Sequence, residues 1–235
     1  MSAEEIIEEL RANGSQSIKN VLVKHGAKEP FFGVKIEYLK KIQKRVKMDY
    51  RLSLDLYATG NSDAKYLAGL IADDAKMTRE ELNLWASQAN WSLLSENAVP
   101  WVAAGNPFGE ELALAWIESE IETTACAGWC TLSSIVALKP DSELDLHKYS
   151  CLLKRVETEI HQAPNRVRYC MNGFVISVGS YVIPLTETAE ATARAIGKVS
   201  VSMGETACRV SDAVESIQNI REKGLLGKKR KTVKC

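Results

Sequence analysis

What most constrains this chain is the recurrence of apolar residues at helical spacing in one segment after another, with short polar connections and no convincing strand. In 121–138 the stripe is Ala125, Trp129, Leu132 and Val136; in 143–161 it is Tyr149, Leu152, Leu153, Val156 and Ile160. Segment 165–179 carries Val167, Met171, Phe174, Val175 and Val178, and 184–198 carries Leu185, Ala189, Ala193 and Ile196. Residues three and four apart share one helix face, so each segment presents an apolar stripe that a neighbour must cover. The run Val175 to Val178 resembles a strand in isolation, but its length and the helical period around it argue against one.

Starts and stops are marked as helices require. Ser62-Asp63 precedes a helix expected over 63–74, and Thr78-Arg79-Glu80-Glu81 reads as a capping box, in which side chains at each end satisfy the other's free amide. Asn106-Pro107 opens the helix that contains Trp116, because proline at the first turn loses no hydrogen bond. Lys139-Pro140-Asp141-Ser142 and Ala163-Pro164-Asn165 each separate two helices, with Asn165 as the cap of the second.

Pairing the segments gives units at about 34–74, 78–119, 122–161 and 165–198, preceded by a helix near 3–24 and followed by one near 209–223. Two-helix units of this length predict an all-α, HEAT-like helical-repeat solenoid with a concave basic groove, a compact irregular bundle being the alternative. The expected organisation is a single repeat domain over 1–225 and a basic tail over 226–235.

The chain is 235 residues long and 46% hydrophobic, which suffices for a substantial core. No apolar run approaches the ~20 residues that span a bilayer. The opening Met1 to Leu10 is acidic and amphipathic, unlike a secretory signal, so a cytoplasmic protein with no membrane partner is expected. Six cysteines (126, 130, 151, 170, 208 and 235) form no Cys-x-x-Cys pair and no zinc-type framework. Cys126 and Cys130 share a helix face, but without a histidine nearby they read as buried thiols, and neither a metal nor a cofactor is expected.

The formal net charge of zero hides an asymmetry. From Arg221 onward there are seven basic residues and one acidic, which leaves the rest of the chain net acidic by six. Basic residues gather in three places: Lys35 to Lys47, with Lys35, Lys40 and Lys44 among them; Arg166 and Arg168 beside Tyr169; and the tail with Lys228, Lys229 and Arg230. Cations in the first turn of a helix oppose its dipole, so Arg166 and Arg168 suggest a purpose other than stability. Three basic patches on one solenoid are suited to phosphate contact, and the tail would also serve as a nuclear-import signal in a eukaryote.

No Walker loop, Gly-x-Ser-x-Gly elbow or His-Glu-x-x-His motif is present, and the three histidines (25, 147 and 161) are isolated. One segment stands out: Asn90 to Trp101 places a single carboxylate, Glu96, between Trp91 and Trp101. A carboxylate can stabilise a developing cation and aromatic faces can hold a cationic base. That chemistry suits cleavage of an N-alkylated purine from deoxyribose, where the leaving group is already activated. The plain alternative is a helix with two core tryptophans and a surface glutamate.

The segments Phe31-Phe32-Gly33-Val34-Lys35, Trp91 to Pro100 and Met171 to Ile176, taken in order, resemble the AlkD-like DNA alkylation repair proteins over about 30–200. The resemblance implies an all-helical HEAT-like protein that cradles damaged duplex DNA in a concave basic surface and excises N3- and N7-alkylated purines without deep base insertion. It places the family's catalytic aspartate on Glu96, its nearer tryptophan on Ser92 beside Trp91, its active-site arginine on Cys126 and its second lesion-facing tryptophan on Phe174. Glu96 is thus the implied catalytic residue, with Trp91, Ser92, Cys126, Phe174, Arg166 and Arg168 around the substrate. Lys35, Lys40, Lys44, Lys228, Lys229 and Arg230 are the implied phosphate contacts. A DNA N-glycosylase is the leading expectation; a non-catalytic binder of damaged or branched DNA and a protein–protein scaffold are the alternatives.

Overall fold

The computed structural model describes residues 1–234; Cys235, the last residue of the expected tail, lies outside them. Thirteen α-helices follow one another: α1 (Ala3–Ala12), α2 (Gln16–Lys24), α3 (Ile36–Val46), α4 (Tyr50–Ala58), α5 (Ser62–Ile71), α6 (Arg79–Gln88), α7 (Val99–Ala104), α8 (Gly109–Trp116), α9 (Glu122–Leu138), α10 (Leu146–Glu159), α11 (Asn165–Tyr181), α12 (Thr186–Ile196) and α13 (Ala213–Glu222). A π-helical stretch, Leu94–Ala98, runs directly into α7. No strand occurs among the described residues, so the Val175–Val178 run is helical.

The expected capping box forms at the start of α6, where Thr78 and Glu81 exchange backbone bonds. Two boundaries differ from expectation. The helix near 3–24 is split into α1 and α2 at Asn13-Gly14-Ser15, residues of low helix propensity. Asn165 does not cap α11; it is the first helical residue, and its side chain instead exchanges two bonds with Ser202 (2.9 and 2.7 Å).

Helices α5, π–α7, α9, α11 and α13 pack side by side in one continuous row, and α4, α6, α8, α10 and α12 cover it. The repeat departs from the sequence-based pairing in one place. Helix α9 packs on α8 and forms no hairpin with α10, against the expected 122–161 unit, whereas α11 and α12 pair as the 165–198 unit expects. The apolar stripes alone do not reveal this, since a stripe says that a helix is covered but not by which neighbour.

Two apolar cores result. One, around Leu56, Leu67, Trp85 and Trp101, fills the N-terminal half. The other, around Trp129, Tyr149, Phe174 and Val178, fills the C-terminal half. They meet where the π–α7 segment lies against α9.

Phe31 to Val34 has a structural role. The Asp63 carboxylate accepts the backbone amides of Phe32 (2.6 Å), Gly33 (3.1 Å) and Val34 (3.2 Å). Gly33 takes a φ of +77°, which a side chain would resist, and this turns three successive amides toward one acceptor. Burial pushes the Asp63 carboxyl above its usual range, with the three amides opposing the shift.

The C-terminal residues strap the row together. Gly227 N–H bonds Ser180 O (2.9 Å), and Arg230 N–H bonds Ala137 O (2.8 Å). Lys229 meets Asp141 (2.8 Å) and Val136 O (2.9 Å), and Lys234 meets Asp74 (2.7 Å) and Ala72 O (2.8 Å). The segment therefore crosses the C-terminal ends of α11, α9 and α5 in turn. No single helix among the described residues is long and apolar enough to cross a membrane.

Candidate functional site

Pro100 explains the local shape of the site. Proline has no N–H, and its ring crowds the carbonyl four residues earlier, here that of Glu96. The helix widens in response: Val99 N–H bonds Leu94 O, five residues back. Helix α5 closes on this bulge at Gly69, where an added Cβ would lie 2.9 Å from Ala98 Cβ and 3.1 Å from Ala98 O. Glu96 sits on the bulge, at the seam between the two cores. Wide turns of this kind recur at functional sites.

Arg166, in the first turn of α11, reaches Glu96 with two parallel bonds: Nε to Oε1 at 2.8 Å and Nη2 to Oε2 at 2.5 Å. The Glu96 side chain is 9% exposed and that of Arg166 25%. The guanidinium also lies over the Tyr169 ring, 4.4 Å from its centroid. Glu122 accepts the Arg166 backbone N–H (2.7 Å), placing an anion against the start of α11 and relieving the unfavourable position of the cation there. Burial pushes the Glu96 carboxyl above its usual range, and the Arg166 bonds only partly offset this. Burial works against the Arg166 charge, but Glu96 outweighs it and holds the guanidinium above its ordinary range.

Above the pair opens a cavity of about 730 Å³, lined among others by Lys24, His25, Trp91, Ser92, Tyr169 and Met203. Its outer wall is the 197–212 connection, which folds back along α11. Arg168 donates to Ser200 O (3.0 Å), Asn172 to Ser211 O (2.9 Å), and Arg166 Nη1 lies 3.5 Å from Met203 Sδ. Gly204 approaches the end of α2 so closely that a Cβ would sit 2.8 Å from Lys24 O. The first helices and the last connection thus meet across the face of Glu96. At the rim, Trp91 Nε1 and Asn90 Oδ1 are buried without a hydrogen-bond partner in the protein.

The expected site residues separate into three groups. Arg166, Trp91 and Ser92 line the cavity, and Glu96 is joined to them through its ion pair with Arg166. Cys126 lies behind Glu96, fully buried, where the resemblance implies an arginine; the charge arrives instead from Arg166, one inner helix further on. Phe174 departs from its expected lesion-facing position: it is 0% exposed, edge-on to Trp129 (5.2 Å) and layered on Tyr149 (6.2 Å), because its stripe on α11 faces the core. Arg168 holds the 197–212 connection rather than Glu96. Trp101 packs edge-on to Tyr66, away from the carboxylate, so the two flanking tryptophans do not sandwich Glu96.

Among the expected phosphate contacts, Lys35 and Lys44 are exposed and Lys40 half-buried, and none makes an ion pair with another described residue. Lys228 and Arg230 point their exposure outward from the strap, whereas Lys229 is engaged with Asp141. The strap lies at the opposite end of α11 from Arg166, on the order of 20 Å away at 1.5 Å per residue.

Glu122, Tyr169 and Cys170 were not foreseen at the site. Tyr169 sits three residues after Arg166, which is one helical turn and the spacing at which a guanidinium meets a ring. Glu122 and Cys170 come from helices whose packing no local pattern encodes.

Residues 6–189 match the family model described as DNA alkylation repair enzyme. Uncharacterised proteins of Listeria innocua and Listeria monocytogenes are each 33% identical over 221 residues, covering 92% of this chain and 95% of theirs. A solved structure described as belonging to a new family of proteins related to the HEAT-like repeat DNA glycosylases, with affinity for branched DNA structures, superposes with a TM-score of 0.91. It is 34% identical, and both chains are covered in full.

Proposed function

The chain belongs to the DNA alkylation repair enzyme family, and on that footing we propose that it binds DNA, with preference for branched structures, through its helical-repeat body. The observation that carries this reading is the two-pronged Glu96–Arg166 pair. A carboxylate stabilises an oxocarbenium ion by facing it with unneutralised charge. Here both oxygens are engaged by a guanidinium and the side chain is 9% exposed, so little field reaches a sugar outside. The solved relative's described affinity for branched DNA points the same way.

In this reading Lys35, Lys40, Lys44, Lys228 and Arg230 contact phosphates, and a basic groove on the body tracks the backbone. Each phosphate neutralised releases counterions and steepens the salt dependence. The cavity, with its indole N–H at Trp91 and its Lys24 and His25, receives the part of the DNA that departs from a regular duplex. Residues 1–225 act as one binding body, fastened by the tail 226–235.

Excision of N3- or N7-alkylated purines is the second reading. It has one feature in its favour: a buried carboxylate paired to Arg166, which lines a cavity together with Trp91 and Tyr169. One experiment separates the two. Purified protein is titrated by fluorescence anisotropy against a four-way junction and a duplex of equal length, and incubated at saturation with methylated duplex. Tighter binding to the junction, with 7-methylguanine released only at the spontaneous rate, is expected. Release above that rate that Glu96→Gln abolishes would make the protein a glycosylase. Failure to bind either DNA at low salt would overturn both readings in favour of a protein–protein scaffold.

A further inference from the structure

Behind the Glu96–Arg166 pair, three potential metal ligands converge from three separate elements, with a fourth close by. A carboxylate oxygen of Glu96 and the thiol sulfurs of Cys126 and Cys170 all lie within 4.8 Å of one another. Cys130, one helical turn beyond Cys126 on α9, lies beside Cys170 on α11. The two α9 thiols share the face that packs on α11, so Cys170 meets both.

We propose that Cys126, Cys130, Cys170 and Glu96 form a site for one thiophilic divalent cation, of which Zn²⁺ is the ordinary biological example. Three sulfurs and one oxygen suit a four-coordinate ion of that class. With Zn–S near 2.3 Å, tetrahedral ligands sit about 3.8 Å apart, so Glu96, Cys126 and Cys170 must contract by about 1 Å and Cys130 must turn in to join them. Rotation of the cysteine side chains and the Glu96 carboxylate supplies that much without moving helices. Arg166 then becomes the outer partner that orients the ligating carboxylate, as ligating carboxylates are themselves hydrogen-bonded.

The charge and proton balance is simple. Each of three thiols releases a proton to solvent as the ion binds, while Glu96 binds as the carboxylate. Two positive charges against three thiolates and one carboxylate leave two negative charges, of which Arg166 offsets one. Because those protons leave as the ion binds, binding tightens as pH rises. The site accounts for a feature that buried thiols serving as small hydrophobes do not: two of them gathered with a carboxylate, and a third one helical turn away. The proposal is independent of the DNA-binding reading.

The test is a Co²⁺ titration of reduced, metal-free full-length protein, followed by visible spectroscopy. One equivalent is expected to produce tetrahedral ligand-field bands and thiolate-to-cobalt charge transfer, both lost when Zn²⁺ is added. Cys170→Ser is expected to weaken binding at least tenfold and cut the charge-transfer intensity, with circular dichroism confirming that it folds. Should it not fold, Glu96→Gln serves instead: the charge transfer persists while the ligand-field bands shift. Cys151→Ser, on exposed α10 beside His147, is expected to change nothing. Absence of the thiolate-to-cobalt band in wild-type protein, or a band undiminished in folded Cys170→Ser, would overturn the proposal. Loss of two titratable thiols on removing reductant, with no cobalt band, would assign the cluster to a disulfide and overturn it equally.

Discussion

Cutting the bond between Glu96 and Arg166 tests the site at its centre. Arg166→Met keeps the stem that lies beside Tyr169 and removes the guanidinium, leaving the Glu96 carboxylate 9% exposed and without its partner. Breaking one side of a buried ion pair costs about 3–5 kcal/mol. Because the cavity lets water approach Arg166, which is 25% exposed, the lower end of that range applies, about 3 kcal/mol. For a domain of this size that is a fall of ~6–12 °C in melting temperature. Glu96→Gln keeps the shape and an oxygen acceptor, and the freed guanidinium can turn to solvent and Tyr169, so its cost is smaller, about 1–2 kcal/mol. The double variant is expected to lose about 2 kcal/mol less than the sum of the two, since the second substitution removes a charge already stranded. Urea unfolding of chelator-treated protein measures all four corners of the cycle. Additivity within about 0.5 kcal/mol would refute the reasoning, because residues that add independently do not share a bond.

Three further outcomes follow from other parts of the molecule. Burial holds the Asp74 carboxyl above its ordinary range even with Lys234 beside it; Lys234→Met therefore costs about 1–2 kcal/mol at neutral pH, and the difference from wild type shrinks as pH falls below the folded pKa, where a protonated Asp74 no longer needs a cation. Denaturant curves across that range check the sign; a difference that grows in acid contradicts it. Gly69→Val drives two methyl groups into the π bulge at Ala98, with an expected loss of about 1–3 kcal/mol or more in thermal or chemical unfolding. Lys40→Ala with Lys44→Ala is expected to flatten the slope of log K against log salt by about 1–2 for duplex and junction alike, read from anisotropy titrations at several salt concentrations.

Most of the fold was legible because helical period and capping are local. The stripes in 121–138, 143–161, 165–179 and 184–198 and the Thr78 capping box each depend on residues within a few positions of one another. What stayed hidden depends on which helix lies next to which. The phasing of α8 on α9, the arrival of Arg166 at Glu96 across seventy positions, and the burial of Phe174 are properties of packing. The π bulge was within reach, since Pro100 stands four residues after Glu96 and must disturb that carbonyl. The cysteine cluster was not, because its spacing in sequence matches no metal framework even though its members meet in space.

The strap formed by the final residues has a bearing on how the molecule comes into being. An array whose repeats touch only their neighbours can fold progressively from the N-terminus as it is synthesised, and can fray from either end. Here Lys234 fastens onto Ala72 and Asp74, near the other end of the row. Those contacts join positions 162 residues apart, so the end of α5 is secured only after the later helices and the 227–234 segment have been made. Unfolding carries the same signature: opening the N-terminal half must release the 227–234 strap as well, which couples distant repeats into a more nearly all-or-none transition.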